Sequence, residues 1–170
     1  MHTDLFRGEA ALTCGHVDVP TDLIAQPDVV MLDLVADSRE AALRALHAEL
    51  ARSPAVTDAE RFLRDMLERV MVASVCVAPD VALPHARTTA VERIVLGVAR
   101  LAAPGVGFDG EHPSVRLMFM IGTPKEQVGA YLQLVAGISR LLRTEGARAG
   151  LLAAGTEAEF RARLARGAAT

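Results

Sequence analysis

Apolar residues recur along this chain with two different periods, and the two periods predict an alternation of strands and helices. Short runs that are dense in Val and Leu occupy residues 28–35, 75–83, 94–101 and 115–121. Runs of this length are typical of β-strands. Between and after them, apolar residues recur every three or four positions, as on one face of a helix. Because the strands are apolar throughout, we predict a sheet that helices cover on both faces.

Residues with capping side chains mark the starts of the predicted helices. Ser38 precedes the first helix, which ends near residue 53. Thr57 and Glu60 form a capping box at the start of the second, and Thr156 precedes the last. Thr123-Pro124 opens the longest helix, with proline at the first helical position. Two shorter helices are predicted over 145–153 and 157–166.

The stretch from 68 to 87 is the most informative part of the chain, because it leads through an apolar run to a single histidine, His85. A Pro79-Asp80 turn divides the run into two short strands, or one broken strand, ending at His85. Pro84 fixes its own φ and restricts Leu83 to extended geometry, so the backbone entering His85 is stiff. An imidazole, whose reference pKa is about 6.5, suits reactive chemistry at this point. The alternative is a histidine whose hydrogen bonds are satisfied in a strand-to-loop turn.

Length and composition favour one soluble domain. A chain of 170 residues with 51% hydrophobic residues can fill one sizeable core. A net charge of −3 and 4% aromatic residues give neither the basic surface nor the stacking platforms of a nucleic-acid-binding protein. No signal sequence or membrane-spanning run is apparent, so we expect a cytoplasmic protein without membrane insertion. Residues 1–20 lack a clear period and are expected to form a loosely structured extension of a domain over 21–170.

The cysteines and the remaining histidines indicate no cofactor. Cys14 and Cys76 form no disulfide framework, and Cys76 lies in an apolar run, where we expect a buried thiol. His2, Cys14 and His16 do not have zinc-site spacing, so neither a metal nor an organic cofactor is predicted. His47 flanks the apolar stripe of its helix and is interpreted as a residue at the core boundary rather than a ligand.

Four sequence blocks, in this order and spacing, resemble enzyme IIA of the fructose/mannitol class in the phosphoenolpyruvate-dependent sugar phosphotransferase system. The nitrogen-regulatory enzyme IIA proteins share that fold. The resemblance covers roughly residues 22–166. The blocks are Glu68-Arg69, VALPHART around His85, FDGEHPSVRLMFMIGTP, and YLQLVAGISRLLR. The fold class implied is α/β: a single domain with a mixed β-sheet flanked by helices on both faces, like mannitol-type enzyme IIA.

The resemblance also implies roles for individual residues. His85 would accept a phosphoryl group from the phosphocarrier protein HPr and pass it to an enzyme IIB. Arg69 matches the family's phosphate-facing arginine, although an arginine there can also bind the last carbonyls of its helix. Tyr131 occupies the place of a second family histidine, and Val75 that of a threonine, which leaves Ser74 as the nearest hydroxyl. Ser74, Tyr131 and Pro84 are the supporting candidates, and a homodimer is possible.

Two other functions compete with this one. An enzyme IIA-like regulator would control a partner by binding, and the departures at Val75 and Tyr131 favour it. A hydrolase using Ser74 and His85 is the other possibility. The sequence has no G-x-S-x-G elbow and indicates no acidic partner, so it does not support a hydrolase.

Overall fold

A six-stranded mixed sheet forms the centre of the computed structural model, which describes residues 21–169. The strands follow the order β1-β5-β6-β3-β2, and β4 also pairs with β6. β6 is parallel to β3 and β4 and antiparallel to β5. The predicted mixed sheet is therefore confirmed. The strands are β1 (Val29–Leu34), β2 (Cys76–Ala78), β3 (Val81–Ala82), β4 (His85–Thr88), β5 (Val95–Leu101) and β6 (Leu117–Pro124).

Helices cover both faces of this sheet, as predicted. One core lies beneath α2 and α3, and the other is shared by α1, α4, α5 and α6. α1 was not predicted, because five residues are too few to show a helical period. Within residues 21–169, no helix is long and apolar enough to cross a membrane. The helices are α1 (Thr21–Ala25), α2 (Arg39–Leu50), α3 (Ala59–Val72), α4 (Val128–Arg143), α5 (Ala147–Ala153) and α6 (Glu157–Ala168).

The two central strands explain why the chain has continuous apolar runs rather than alternating ones. Every residue of β5 and β6 is buried. Met118 and Met120 belong to the core under α2 and α3. Leu117, Phe119 and Ile121, which alternate with them, belong to the core on the opposite face. A strand buried on both faces needs an apolar residue at every position.

Two of the predicted caps are present, and the third is displaced by one residue. Ser38 and Thr156 cap α2 and α6, each hydroxyl accepting the N–H three residues on. The predicted Thr57 cap and its capping box with Glu60 are wrong. Asp58 caps α3, because its backbone is extended and its carboxylate accepts the N–H three residues on. The N–H of Thr57 instead pairs with another loop.

The predicted start of the long helix is also wrong. Thr123 and Pro124 end β6, where they pair with Arg87 and Thr88 of β4. α4 begins only at Val128, after a turn. Pairing with a strand distant in sequence therefore overrides the local preference of proline for the first turn of a helix.

His47 lies inside the protein rather than at the predicted core boundary. Its exposure is 6%, and its ring centroid lies 5.2 Å from that of Phe62. Burial lowers the pKa of its imidazole, with a smaller lowering from Arg44 and an opposing bond to the Ala59 backbone. His47 is therefore part of the packing between α2 and α3.

Candidate functional site

His85 begins a strand, whereas the sequence analysis placed it at the end of one. β3 and β4 lie beside β6 one after the other, with Ala82 opposite Met118 and His85 opposite Ile121. Between them the carbonyl of Pro84 accepts the N–H of Ile121 at 2.9 Å. Pro84 therefore stays hydrogen-bonded to the sheet although it interrupts the strand. This bond fixes the backbone just before His85.

The backbone also determines the tautomer of His85. The ring nitrogen Nδ1 lies 2.9 Å from the carbonyl oxygen of Leu83. A carbonyl oxygen can only accept a hydrogen bond, so Nδ1 must carry the proton. In the neutral ring, Nε2 then holds the free lone pair. Leu83 is itself fixed, because its N–H donates to the carbonyl of Val75 at 2.7 Å.

The surroundings of His85 favour the neutral imidazole. Burial lowers its pKa below 6.5, the bond to Leu83 opposes this, and the positive charge of Arg69 lowers it further. A neutral imidazole is a nucleophile, whereas an imidazolium is not. The site therefore presents Nε2 in its reactive form at neutral pH.

Tyr131 faces the imidazole from α4. The two ring centroids are 5.4 Å apart, and the ring planes are inclined by 39°. Burial raises the pKa of the phenol, while the charges of Arg69 and Arg87 oppose the rise. At neutral pH the hydroxyl keeps its proton, so Tyr131 can donate a hydrogen bond but cannot carry a positive charge.

Arg69 lies on the last turn of α3, beside a groove of about 260 Å³ that is rich in positive charge. Its Nη1 donates to the carbonyl of Ala73 at 3.3 Å, which is the helix-capping contact considered from the sequence. This bond uses one of the five N–H donors of a guanidinium. Four cations and two carboxylates line the groove with one valine: Arg61, Arg69, Arg87, Lys125, Asp65, Glu68 and Val72.

Arg87 belongs to this groove and was missed in the sequence. It follows His85 by two residues on β4, so both side chains project from the same face of the strand. Its Nη2 donates to the carbonyl of Lys125 at 3.2 Å, and its side chain is exposed. The two-residue spacing of His85 and Arg87 could have indicated that they share a face. This inference requires knowing that a strand begins at His85.

Ser74 makes its hydrogen bonds in a second cluster. Its hydroxyl donates to Asp109 Oδ2 at 2.7 Å and accepts the backbone N–H of Cys76 at 3.3 Å. The structure thus links Ser74 to Asp109, whereas the carbonyl of Leu83 orients His85. A role for Ser74 at the phosphate site stays a prediction.

This second cluster also contains Cys76 and His112. Cys76 is half-buried rather than buried as expected, and burial and the nearby Asp109 raise the pKa of its thiol to about 11. Hydrogen bonds from Ser74 and His112 hold the pKa of Asp109 well below its usual range. One potential ligand atom from each of Cys76, Asp109 and His112 lies within 4.8 Å of the others. The sequence analysis found no metal site in this part of the chain.

A family model describes most of the chain. The model for "Phosphoenolpyruvate-dependent sugar phosphotransferase system, EIIA 2" matches residues 23–167. These bounds agree closely with the extent of the resemblance inferred from the sequence.

Two curated relatives show how different the proteins that carry this domain can be. The fructose-specific EIIA component of Haloferax volcanii is 30% identical over 128 residues, covering 75% of this chain and 82% of the relative. The 2-O-alpha-mannosyl-D-glycerate-specific EIIABC component of Escherichia coli is 29% identical over 136 residues. That match covers 78% of this chain but only 20% of the relative.

Solved structures of low sequence identity have the same fold. The nitrogen regulatory protein IIA-Ntr from Neisseria meningitidis superimposes with a TM-score of 0.72 at 20% identity, covering 83% of this chain and 94% of that one. Enzyme IIAMTL, in its complex with phosphorylated enzyme IIBMTL from Escherichia coli, gives a TM-score of 0.70 at 20% identity. That match covers 82% of this chain and 95% of the other. The fold prediction is therefore confirmed.

Proposed function

This chain belongs to the EIIA 2 family of the phosphoenolpyruvate-dependent sugar phosphotransferase system, and we propose that it is a phosphocarrier whose acceptor is His85. It would receive a phosphoryl group from an HPr-type protein and pass it to an enzyme IIB. The resemblance implies no metal or organic cofactor for these two transfers. Cytoplasmic location and homodimer formation stay predictions.

The observation that carries this proposal is the lone pair on Nε2 of His85, which the bond from Nδ1 to Leu83 O leaves free. Nε2 would attack the phosphorus while the bond between phosphorus and the donor breaks. The product ring has phosphorus on Nε2 and a proton on Nδ1, so it carries a positive charge. The carbonyl of Leu83 already accepts that N–H and therefore stabilises the charged product. The onward step breaks the bond between Nε2 and phosphorus and returns the ring to its neutral form.

Cationic side chains of the groove suit the charge of a phosphoryl group. Phosphoryl transfer depends mainly on positioning and on stabilising charge spread over the equatorial oxygens. Arg69 acts electrostatically on both His85 and Tyr131, and Arg87 acts on Tyr131. The Arg69 guanidinium therefore lies near both rings, and that of Arg87 lies near the phenol. A guanidinium can bind two phosphoryl oxygens at once. We assign Arg69 as the clamp, Arg87 as a second cation and the Tyr131 hydroxyl as a neutral donor.

Exposed apolar residues on the two helices that frame the site suit a protein partner. Val72, the last residue of α3, is 83% exposed. Val128 and Leu132, which lie one turn apart on α4 and flank Tyr131, are 38% and 58% exposed. An apolar surface around a polar centre is typical of protein–protein contacts. The complex of enzyme IIAMTL with phosphorylated enzyme IIBMTL makes an enzyme IIB the partner of choice.

A regulatory protein of the same fold is the second candidate, and Tyr131 is the observation that favours it. A neutral phenol cannot supply the positive charge of an imidazolium beside the phosphoryl group, which would slow transfer. A nitrogen regulatory protein of Bradyrhizobium diazoefficiens is 30% identical to this chain over 126 residues. In that case, the phosphorylation state of His85, or the surface around it, would control a partner.

The test is phosphorylation of the full chain with phosphoenolpyruvate, enzyme I and HPr, followed by intact-mass analysis. We expect one acid-labile phosphoryl group on the wild type and none on His85→Ala. His16→Ala is the matched control and should be phosphorylated like the wild type. Transfer from the phosphorylated protein to an enzyme IIB then separates a carrier from a regulator. A wild type that takes up no phosphoryl group from a cognate HPr would rule out the carrier role.

A further inference from the structure

We propose that Cys76, Asp109 and His112 form a binding site for a divalent metal ion of the zinc class. One potential ligand atom from each side chain lies within 4.8 Å of the other two. The three residues come from β2 and from the loop that precedes β6, so the fold itself brings them together. This inference does not depend on the proposed function, because His85 contributes nothing to the site.

The chemistry of the three side chains selects the ion. Thiolate, imidazole and carboxylate are the ligands that zinc prefers, whereas calcium and magnesium prefer sets of oxygen atoms. With zinc–ligand bonds of about 2.0–2.3 Å, the ligand atoms of a tetrahedral site lie about 3.3–3.8 Å apart. The three ligand atoms lie within 4.8 Å of one another, and small side-chain rotations would bring them to these distances. The three ligands leave a fourth position for water.

Hydrogen bonds already orient the carboxylate of Asp109. Its Oδ1 accepts the backbone N–H groups of Glu111 and His112 at 3.0 and 2.9 Å, and the Nδ1–H of His112 at 2.7 Å. Its Oδ2 accepts the hydroxyl of Ser74 at 2.7 Å. The bonds from the two backbone N–H groups and from Ser74 are outer bonds, which hold a metal ligand in place and increase affinity. The bond from His112 joins two of the proposed ligands, and its Nδ1 would release the proton if it bound the ion. The outer bonds also give Ser74 a role as a positioning residue for the metal site.

The charge around the cluster further restricts the ion. Arg39 acts electrostatically on Cys76, and its guanidinium donates to the carbonyl of Phe108 at 2.7 Å. The positive charge of Arg39 repels a metal cation, and this disfavours ions such as magnesium and calcium, which are bound mainly through electrostatic attraction to oxygen atoms. Binding therefore depends on the metal–thiolate and metal–imidazole bonds, which zinc and cobalt(II) form well.

The experiment uses the full chain, reduced and freed of metal with a chelator. Zinc is titrated against a colorimetric competitor, and cobalt(II) is then used as a spectroscopic probe. We expect one zinc ion per chain and a thiolate-to-cobalt charge-transfer absorption in the near ultraviolet. Cys76→Ser should abolish that absorption, and His112→Gln should weaken zinc binding at least tenfold. Zinc should raise the melting temperature of the wild type but not that of Cys76→Ser.

Control variants separate this cluster from the other cysteine and from the phosphoryl site. Cys14→Ser combined with His16→Ala, and separately His85→Ala, should bind zinc like the wild type. The cobalt absorption reports directly on a metal–thiolate bond, so a variant that is merely less stable does not imitate its loss. Absence of stoichiometric binding overturns the proposal. So does a cobalt absorption that persists in Cys76→Ser or disappears in the Cys14→Ser/His16→Ala variant.

Discussion

Arg69→Gln separates the two roles that the structure allows for this residue, the phosphoryl clamp and the helix cap. The capping contact is a single bond to the carbonyl of Ala73 at 3.3 Å, on a half-buried side chain. Losing such a bond costs about 0.5–1 kcal/mol, which lowers the melting temperature of a chain of this size by about 1–4 °C. A cap alone therefore predicts a small loss of stability and no effect on transfer.

A clamp predicts a much larger effect on the rate. A hydrogen bond between a guanidinium and a phosphoryl oxygen is charge-assisted and contributes about 1.5–3 kcal/mol. If it is formed in the transition state, its loss slows transfer roughly 10- to 150-fold, at about 1.4 kcal/mol per factor of ten. Because the charge of Arg69 lowers the pKa of His85, Arg69→Gln should also raise that pKa, whereas Arg69→Lys should not.

The assay is a single turnover with phospho-HPr, followed by intact mass, together with thermal unfolding of each variant. Arg64 lies exposed on the same helix, so Arg64→Gln is the matched control. If Arg69→Gln transfers at the rate of Arg64→Gln, the clamp assignment is wrong. An unfolded Arg69→Gln protein would contradict the small stability effect derived from one bond.

Three further predictions concern the site and the strand behind it. Because burial lowers the pKa of His85, an NMR titration of its imidazole should have a midpoint below 6.5, and the reactive neutral form should predominate above that midpoint. A midpoint above 6.5 would contradict this prediction. Tyr131→Phe keeps the ring packing but removes the donor, so transfer should slow roughly 2- to 12-fold without loss of stability, and an unchanged rate would exclude the hydroxyl. In Gly122→Ala the new Cβ would lie 2.7 Å from Cζ of the buried Phe62 and should cost about 1–3 kcal/mol in urea unfolding. Gly97→Ala, whose nearest contact would be 3.2 Å, should cost less, and equal losses would contradict the steric argument.

The parts of the fold that could be predicted are those with a local cause. Apolar runs indicated β5 and β6 because both strands are buried on both faces. Ser38 indicated the start of α2 because a cap is decided within one helical turn. β4 had no such signal: its four residues are held in place by β6, and only that pairing turns Thr123-Pro124 into strand rather than helix.

The same distinction applies to the two clusters. His85, Arg69 and Tyr131 were selected through the resemblance, and the structure places them near one another. Arg87 was missed because its relation to His85 depends on a strand that the sequence did not reveal. Asp109 and His112 share a loop, but their nearness to Cys76 follows from the sheet and not from spacing along the chain.

The carbonyl of Leu83 has a further consequence for how this protein can change in the course of evolution. The group that selects the tautomer of His85 belongs to the main chain, so no side-chain substitution can delete it. Substitutions at positions 75 and 131 can therefore leave the tautomer of His85, and with it the lone pair of Nε2, unchanged. Under the proposed function, such substitutions would change the speed of transfer and the choice of partner without removing the acceptor nitrogen.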